Sequence, residues 1–380
     1  MKNIIGIICE YNPFHNGHLY HLQKIKEMYP NSTIILVIPG YFTQRGDFSI
    51  LNKYDKVKMS LEMGIDLVIE LPFVFAVQSA DIFARGSIEM LDKLNVQKLI
   101  FGSECNDIKL LEDLVNYQNT NEYNQKVKKY LEEGINYPTA LSKALKDYSN
   151  YEVKSPNDLL AISYIKAINE LNSNIEPISI KRTSDYHSLN IDSNIVSATA
   201  IRNLIQNKEN ISKYVPEGLL KYSFVDINKE KFFELLKYKI ITDKYNLKNI
   251  QTVDEGIENR IIKYINECNS LEELILKVKT KRYTYNKIKR MFIHILCNFT
   301  KNEANSFKHT EYIRILGLNN NGKKYLNKIK KDINIPIISK LSSSKNEMLL
   351  LEQRVTNIYS IITNNPELNK KEYQDFPIIF

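Results

Sequence analysis

The stretch Ile4-Ile5-Gly6-Ile7-Ile8-Cys9-Glu10-Tyr11-Asn12-Pro13-Phe14-His15-Asn16-Gly17-His18 decides how the rest of the chain is read. An apolar run of strand length ends in a Tyr-Asn-Pro turn. Pro13 has no N–H and biases Asn12 away from helix, so the strand is expected to stop there. Beyond it, Leu19, Leu22, Ile25, Met28 and Tyr29 recur at helical spacing. His15 and His18 therefore fall at a helix start. Free backbone N–H groups and the positive end of the helix dipole predict an anion site there, and phosphate is the usual anion. Gly17 between them leaves room for a ligand to approach the backbone. A plain pair of surface histidines is the competing reading. Zinc is a third, but it needs further Cys or His ligands, and only Cys9 and His21 lie close in sequence. No metal ligand is assigned.

Around this stretch the chain runs to 380 residues, enough for two domains. At 43% hydrophobic and 25% charged it has the composition of a soluble globular protein. No apolar run approaches the roughly 18 residues a membrane span requires. The N-terminus enters a strand-like run without a secretory signal pattern. Cys9, Cys105, Cys268 and Cys297 are far apart and form no CxxC pair, which argues against a disulfide framework or zinc ribbon and fits a reduced cytoplasm. The net charge of +8 is unevenly placed. Residues 1–210 carry 22 Lys and Arg against 25 Asp and Glu, while residues 211–380 carry 30 against 19. An excess confined to the second part suggests that it meets a polyanion, with compositional bias as the alternative.

Up to about residue 205 strand-like runs (3–9, 33–38, 66–69, 98–101, 177–181) alternate with helical stretches, the pattern of a parallel sheet covered on both faces. The fold class expected is α/β, a doubly wound, Rossmann-like parallel sheet, followed by a mainly α-helical C-terminal domain. The division is expected at 1–210 and 211–380, with a joint near Pro216. Ligands of such sheets bind beyond the carboxyl ends of the strands. Those ends carry the Gln44-Arg45-Gly46 loop, Gly102, and Arg182 with Tyr186 and His187 after it. Asn157 and Ser197-Ala198-Thr199-Ala200-Ile201-Arg202 open later helices, where they read equally well as caps. In the second part the densest cation cluster is Lys277, Lys279, Lys281, Arg282, Lys287, Lys289 and Arg290, interleaved with Tyr283 and Tyr285. Cations for phosphate and aromatic rings for bases are the means by which RNA is gripped, against a plain solvated helix face.

HNGH after a first strand resembles the HIGH-type motif of the nucleotidyltransferase superfamily, shared with class I aminoacyl-tRNA synthetases. The longer string IICEYNPFHNGHLYHL resembles the tRNA(Met) cytidine acetate ligase family, and the TKRYT string and Tyr312-Ile313-Arg314-Ile315-Leu316-Gly317 extend the likeness over most of the chain. The resemblance implies an ATP-dependent ligase that adenylates acetate and acetylates the wobble cytidine of elongator tRNA(Met) to N(4)-acetylcytidine. It implies His15 and His18 as catalytic residues. It places ATP along Ile7, Ile8, Cys9, Glu10, Tyr11, Asn12, Pro13, Phe14, His15, Asn16, Gly17, His18, Leu19 and Tyr20, and on Gly102, Asn157 and Arg182. Ser197, Thr199 and Arg202 match the second nucleotidyltransferase signature, a phosphate-binding helix start. Gln44, Arg45 and Gly46 match a loop near the substrate pocket, and Lys277, Lys279, Lys281, Arg282, Tyr283, Lys287 and Arg290 would hold tRNA. Mg²⁺ is expected with the triphosphate, in a cytoplasmic protein needing no membrane and no obligate protein partner. Two alternatives remain: an adenylyl- or cytidylyltransferase acting on a small phosphorylated metabolite, and a non-catalytic RNA-binding protein.

Overall fold

The structure, a computed structural model, describes residues 3–153, 155–182, 194–375 and 377–380. Tyr186 and His187 lie outside the described residues. The first part runs β1 (Ile4–Ile8), α1 (Asn16–Met28), β2 (Thr33–Pro39), α2 (Lys53–Glu62), β3 (Leu67–Leu71), α3 (Phe73–Ala76), α4 (Ala80–Lys93), β4 (Lys98–Ser103), α5 (Ile108–Gln118), α6 (Asn121–Glu132), α7 (Tyr137–Ser149), α8 (Pro156–Glu170), β5 (Glu176–Lys181) and α9 (Ala198–Gln206). A helical region follows: α10 (Lys229–Thr242), α11 (Ile257–Ile265), α12 (Leu271–Val278), α13 (Tyr285–Leu296) and α14 (Lys301–Ser306). The chain then adds β6 (Ile313–Leu318), α15 (Asn320–Ile329), β7 (Ile337–Ile338), α16 (Glu347–Ile362), α17 (Glu367–Gln374) and β8 (Ile378–Ile379).

Among the described residues all eight strands belong to one sheet ordered β5-β4-β1-β2-β3-β6-β7, with β8 also paired to β6. β1, β2, β3, β4 and β5 are mutually parallel, as their continuous apolar, β-branched sequences require when both faces are covered. Apolar layers lie on the two faces, one beneath α1, α2 and α9 (Leu22, Ile25, Val57, Ile201) and one beneath α4, α8 and the later helices (Ile88, Ile165, Phe292, Met348). From β1 the chain winds to β2 and β3 on one side and returns to β4 and β5 on the other. The switch point therefore lies between β1 and β4, where this kind of sheet opens a crevice.

The five expected strands are all present, each within three residues of its expected ends. The expectation that strands cease after residue 211 is not met. β6 lies antiparallel to β3 and extends the sheet, and β7 and β8 pair with it. The Ile-Arg-Ile-Leu-Gly-Leu run of β6 is six residues, buried throughout and set among helices, a length at which period alone does not separate strand from helix. The second part is mainly helical but shares the sheet of the first.

Candidate active site

At the carboxyl end of β1 the chain turns through Tyr11, Asn12 and Pro13 into α1. His15 is the N-cap of α1, and its Nδ1 accepts from the Gly17 amide at 3.0 Å. His18, at the third helical position, completes a reciprocal capping box, its Nδ1 accepting from the His15 amide at 3.2 Å. The two rings stack with centroids 3.8 Å apart. This alters the expected chemistry of the helix start. The amides of Asn16, Gly17 and His18 are taken by the Tyr214 carbonyl, His15 Nδ1 and the His15 carbonyl, so free backbone N–H groups are not what this turn offers. A Cβ on Gly17 would meet the His15 ring at 2.9 Å, so the glycine makes space for the imidazole and not for a ligand. With Nδ1 accepting on both rings, each neutral imidazole carries its proton on Nε2. Burial, with Arg182 and Arg202 nearby, pushes His15 down to about 3. Burial, then His15 and Arg182, puts His18 well below the ordinary imidazole range. The anion donors here are side chains.

These histidines line a cavity of about 230 Å³ over the switch point. The same cavity is lined by Ile8, Cys9, Glu10, Tyr11, Asn12, Gly17 and Tyr20 from the first crossover, and by Gly102, Asn157, Arg182, Ser197, Thr199 and Arg202 from positions up to 190 residues away. Gln44 and Arg45 line it as well. Five expected contacts stand outside it. Ile7 and Phe14 are core residues, Pro13 is buried and Leu19 packs against the same apolar layer. Asn16 donates to the carbonyls of Asn194 and Lys213, bracing α1 against the segments flanking α9. Ser197 caps α9 through the Ala200 amide at 3.2 Å. Arg202 is fixed by the Asn12 carbonyl at 2.8 Å and the Thr199 hydroxyl at 3.0 Å.

Glu104, at the end of β4, organises the opposite wall. It accepts from the Ser155 hydroxyl and from Asn157 Nδ2, both at 2.6 Å, and its Oε1 lies 3.3 Å from Arg182 Nε. Asn157 is therefore not the cap of α8; Ser155 is. Asp158 is fully buried and accepts from the Ser103 hydroxyl, the Glu104 amide and the Tyr151 hydroxyl, clamping α8 to β4. Glu10 accepts from the Gln44 amide at 2.6 Å, and burial raises its carboxyl. The Cys9 thiol is pushed up to about 12 by burial and the Glu10 charge, which keeps it protonated and unsuited to nucleophilic attack.

Sequence reasoning missed Glu104 and Asp158 as organisers, and Phe83, Phe101, Leu160 and Tyr164 as cavity walls. Those residues carry no local pattern beyond ordinary core spacing. His21 also lines the cavity, and its spacing of three from His18 was the available signal.

Gly46 lies against α13 behind the cavity. Of the expected tRNA contacts, Lys279, Lys281 and Arg282 are exposed, with Arg282 3.6 Å from Glu255. The others are engaged: Lys277 with Glu267 and Glu273, and Arg290 with the Gln44 carbonyl. Tyr283 is buried, its hydroxyl on the Asp254 carbonyl and its ring 3.9 Å from the Lys287 ammonium, so its face is not offered to a base.

The family described as HIGH Nucleotidyl Transferase matches residues 1–375. A tRNA(Met) cytidine acetate ligase of Clostridium perfringens (strain SM101 / Type A) is 42% identical over all of both chains. One of Caldicellulosiruptor saccharolyticus is 41% identical over 98% of this chain and 95% of its own. The apo crystal structure, form I, of Thermotoga maritima TmcAL superposes with a TM-score of 0.90 at 29% identity over all of both chains. Its form II, bound with alpha-thio ATP, superposes at 0.89 with 30% identity and the same coverage. Two imidazoles capping the first crossover helix, over a cavity shared with the α9 start, thus sit on a chain that belongs to the HIGH nucleotidyl transferases, within the tRNA(Met) cytidine acetate ligase family.

Proposed function

We propose that this chain is an ATP-dependent ligase that converts acetate to acetyl-adenylate and transfers the acetyl group to the wobble cytidine of elongator tRNA(Met). The observation that carries the reading is the single cavity joining His15 and His18 to Arg182, Ser197, Thr199 and Arg202. In the first half-reaction a carboxylate oxygen of acetate attacks the α-phosphorus of ATP, the bond to the bridging oxygen breaks and pyrophosphate leaves. Nε2–H of His15 and His18 donates to the phosphate oxygens as charge builds on them. Ser197, Thr199 and Arg202 hold the outer phosphates, while Gly102, Asn157 and Arg182 flank the nucleoside. In the second, the cytosine N4 amine attacks the acetyl carbon, AMP departs and N4 loses a proton. Neither half needs a protein nucleophile. Positioning and electrostatic stabilisation supply the rate.

Glu10 and Asp47, the carboxylates lining the cavity, are engaged by the Gln44 amide and by Lys289. Mg²⁺ would accordingly ride on triphosphate oxygens and water, as it commonly does, where it neutralises phosphate charge. Lys279, Lys281 and Arg282 are the exposed cations proposed to meet tRNA, and Gln44 and Arg45 to face the incoming substrate. The helical region from 211 is proposed as the tRNA-binding part and residues 1–210 as the catalytic part. Among the described residues no helix is long and apolar enough to cross a membrane; we place the reaction in the cytoplasm. The deciding experiment incubates the protein with ATP, labelled acetate and total tRNA. Label in N(4)-acetylcytidine of tRNA(Met), dependent on ATP and accompanied by pyrophosphate, is expected. Label that stays in acetate, or a product formed equally without tRNA, would overturn the reading.

A further inference from the structure

Buried polar atoms in folded proteins nearly always have hydrogen-bond partners, so unpartnered ones that converge on a cavity mark where a ligand supplies the partner. Among the described residues seven buried side-chain N or O atoms lack one, and three of them belong to residues lining the active-site cavity: the Tyr11 hydroxyl, His21 Nε2 and Arg182 Nε. Arg182 Nε lies 3.3 Å from Glu104 but off the hydrogen-bond direction. Tyr11 and Arg182 already belong to the expected nucleotide site. His21 does not.

His21 follows His18 by three residues on α1, so both project from one face of the helix. Three residues of rise carry it about 4.5 Å deeper along the axis than His18, away from the helix start where the phosphates are placed. Tyr20, Ile100 and Ile180 also line the cavity, aromatic and apolar walls that suit a ring system better than a triphosphate, and Arg182 is close enough for its charge to act on His21. Burial and then the Arg182 charge hold His21 down to about 4, so its ring is neutral and Nε2 is free to pair with a neutral heteroatom.

We infer that His21 Nε2 hydrogen-bonds the nucleoside half of ATP and helps to set nucleotide affinity. This rests on the ATP reading above. The test compares wild type with His21→Phe, and with His21→Leu as the variant that keeps the measurement available if phenylalanine does not fit. The probes are adenosine and inorganic tripolyphosphate, titrated as separate ligands and as competitors of ATP in pyrophosphate exchange. Loss of one buried hydrogen bond predicts adenosine binding and KM for ATP weakened about tenfold. Tripolyphosphate binding is expected unchanged, and thermal stability without ligand unchanged or higher. Tripolyphosphate weakened as much as adenosine would move His21 to the phosphates and overturn the inference. Unchanged binding of both probes in the variants would remove His21 from the site while leaving the ATP reading intact. Wild-type protein that binds neither probe would sink both.

Discussion

Asp47, in the loop after β2, is ion-paired with Lys289 on α13, 242 residues later, and its other oxygen lies 3.8 Å from Arg202 in the cavity. The same loop leans on α13 at two more points. Arg290 donates to the Gln44 carbonyl at 3.3 Å, and Gly46, at φ +76°, is so close that a Cβ would meet the Arg290 amide nitrogen at 2.7 Å. The helix that begins beside the exposed cations thus supports the wall formed by Gln44 and Arg45 from behind. The imidazoles are anchored separately, on α1, and Arg202 is held chiefly by the Asn12 carbonyl and the Thr199 hydroxyl.

Lys289→Ala is therefore expected to act on the transfer step. The pair is partly buried, with side chains 16% and 30% exposed, and its loss should cost about 1 kcal/mol of global stability. Loosening the wall should nevertheless slow acetyl transfer to tRNA on the order of tenfold, the equivalent of roughly 1.4 kcal/mol, with pyrophosphate exchange changed far less. Gly46→Ala should do the same more strongly, because neither its φ nor its neighbour can yield. Equal loss in the two half-reactions would refute this division.

His15→Ala and His18→Ala should each reduce adenylate formation on the order of 100- to 1000-fold, the usual cost of removing one donor from a developing charge. Binding of tRNA in a shift assay should persist. Because His15 also caps α1, its alanine variant should lose about 1 kcal/mol of stability. His15→Asn separates the two roles: asparagine can still accept from the Gly17 amide but cannot deliver Nε2–H. It should fold like wild type and remain slow. Full activity in His15→Asn would show that the cap, not the donor, is what matters.

The five parallel strands and the residues at their ends were legible because each strand is a short apolar run, because the first four carry a Pro or Gly at or just after their ends, and because HNGH follows the first. What stayed illegible depends on partners brought together by topology. Nothing near Asn157 announces Glu104, and nothing near Asp158 announces Ser103 and the Glu104 amide. The cation cluster looked free because two of the groups that engage it, Asp47 and the Gln44 carbonyl, lie in another element. The helix start looked open because its amides were counted without allowing for a histidine acting as the cap.

Buried neutral histidines make stability depend on pH. Burial is the leading cause at each: His15 is held down to about 3, His21 and His294 to about 4, and His294 is fixed between the Val77 carbonyl and Thr252. In the unfolded chain these rings take up protons near pH 6.5. Between about pH 6.5 and pH 4 the unfolded state binds more protons than the folded one, so stability rises with pH and falls on acidification. The urea midpoint should be lower at pH 5 than at pH 7. A variant lacking one of these rings, such as His294→Gln, should show a shallower slope. A flat midpoint between the two values would mean that the rings are protonated in the folded state.

Lys53 on α2, Glu70 on β3, Arg314 on β6 and Glu372 on α17 form a closed, fully buried ring of charges. Lys53 Nζ lies 2.8 Å from Glu70 and 2.6 Å from Glu372, while Arg314 reaches Glu70 at 2.8 Å and pairs with Glu372 as well. Two residues come from each side of position 210, so the ring ties the late strands and helices to the first sheet. Removing one charge leaves its partners buried and uncompensated, which costs roughly 3–5 kcal/mol. Arg314→Met should accordingly lower the urea midpoint severely, whereas replacing all four residues by apolar ones of similar volume should cost far less. By the same reasoning a fragment ending at residue 210 would bury Lys53 and Glu70 without Arg314 and Glu372 and would leave β3 as a bare edge. It should not fold cooperatively alone, and adding residues 211–380 in trans should restore a cooperative transition. A fragment 1–210 that unfolds cooperatively by itself would show that the sheet does not need its C-terminal strands.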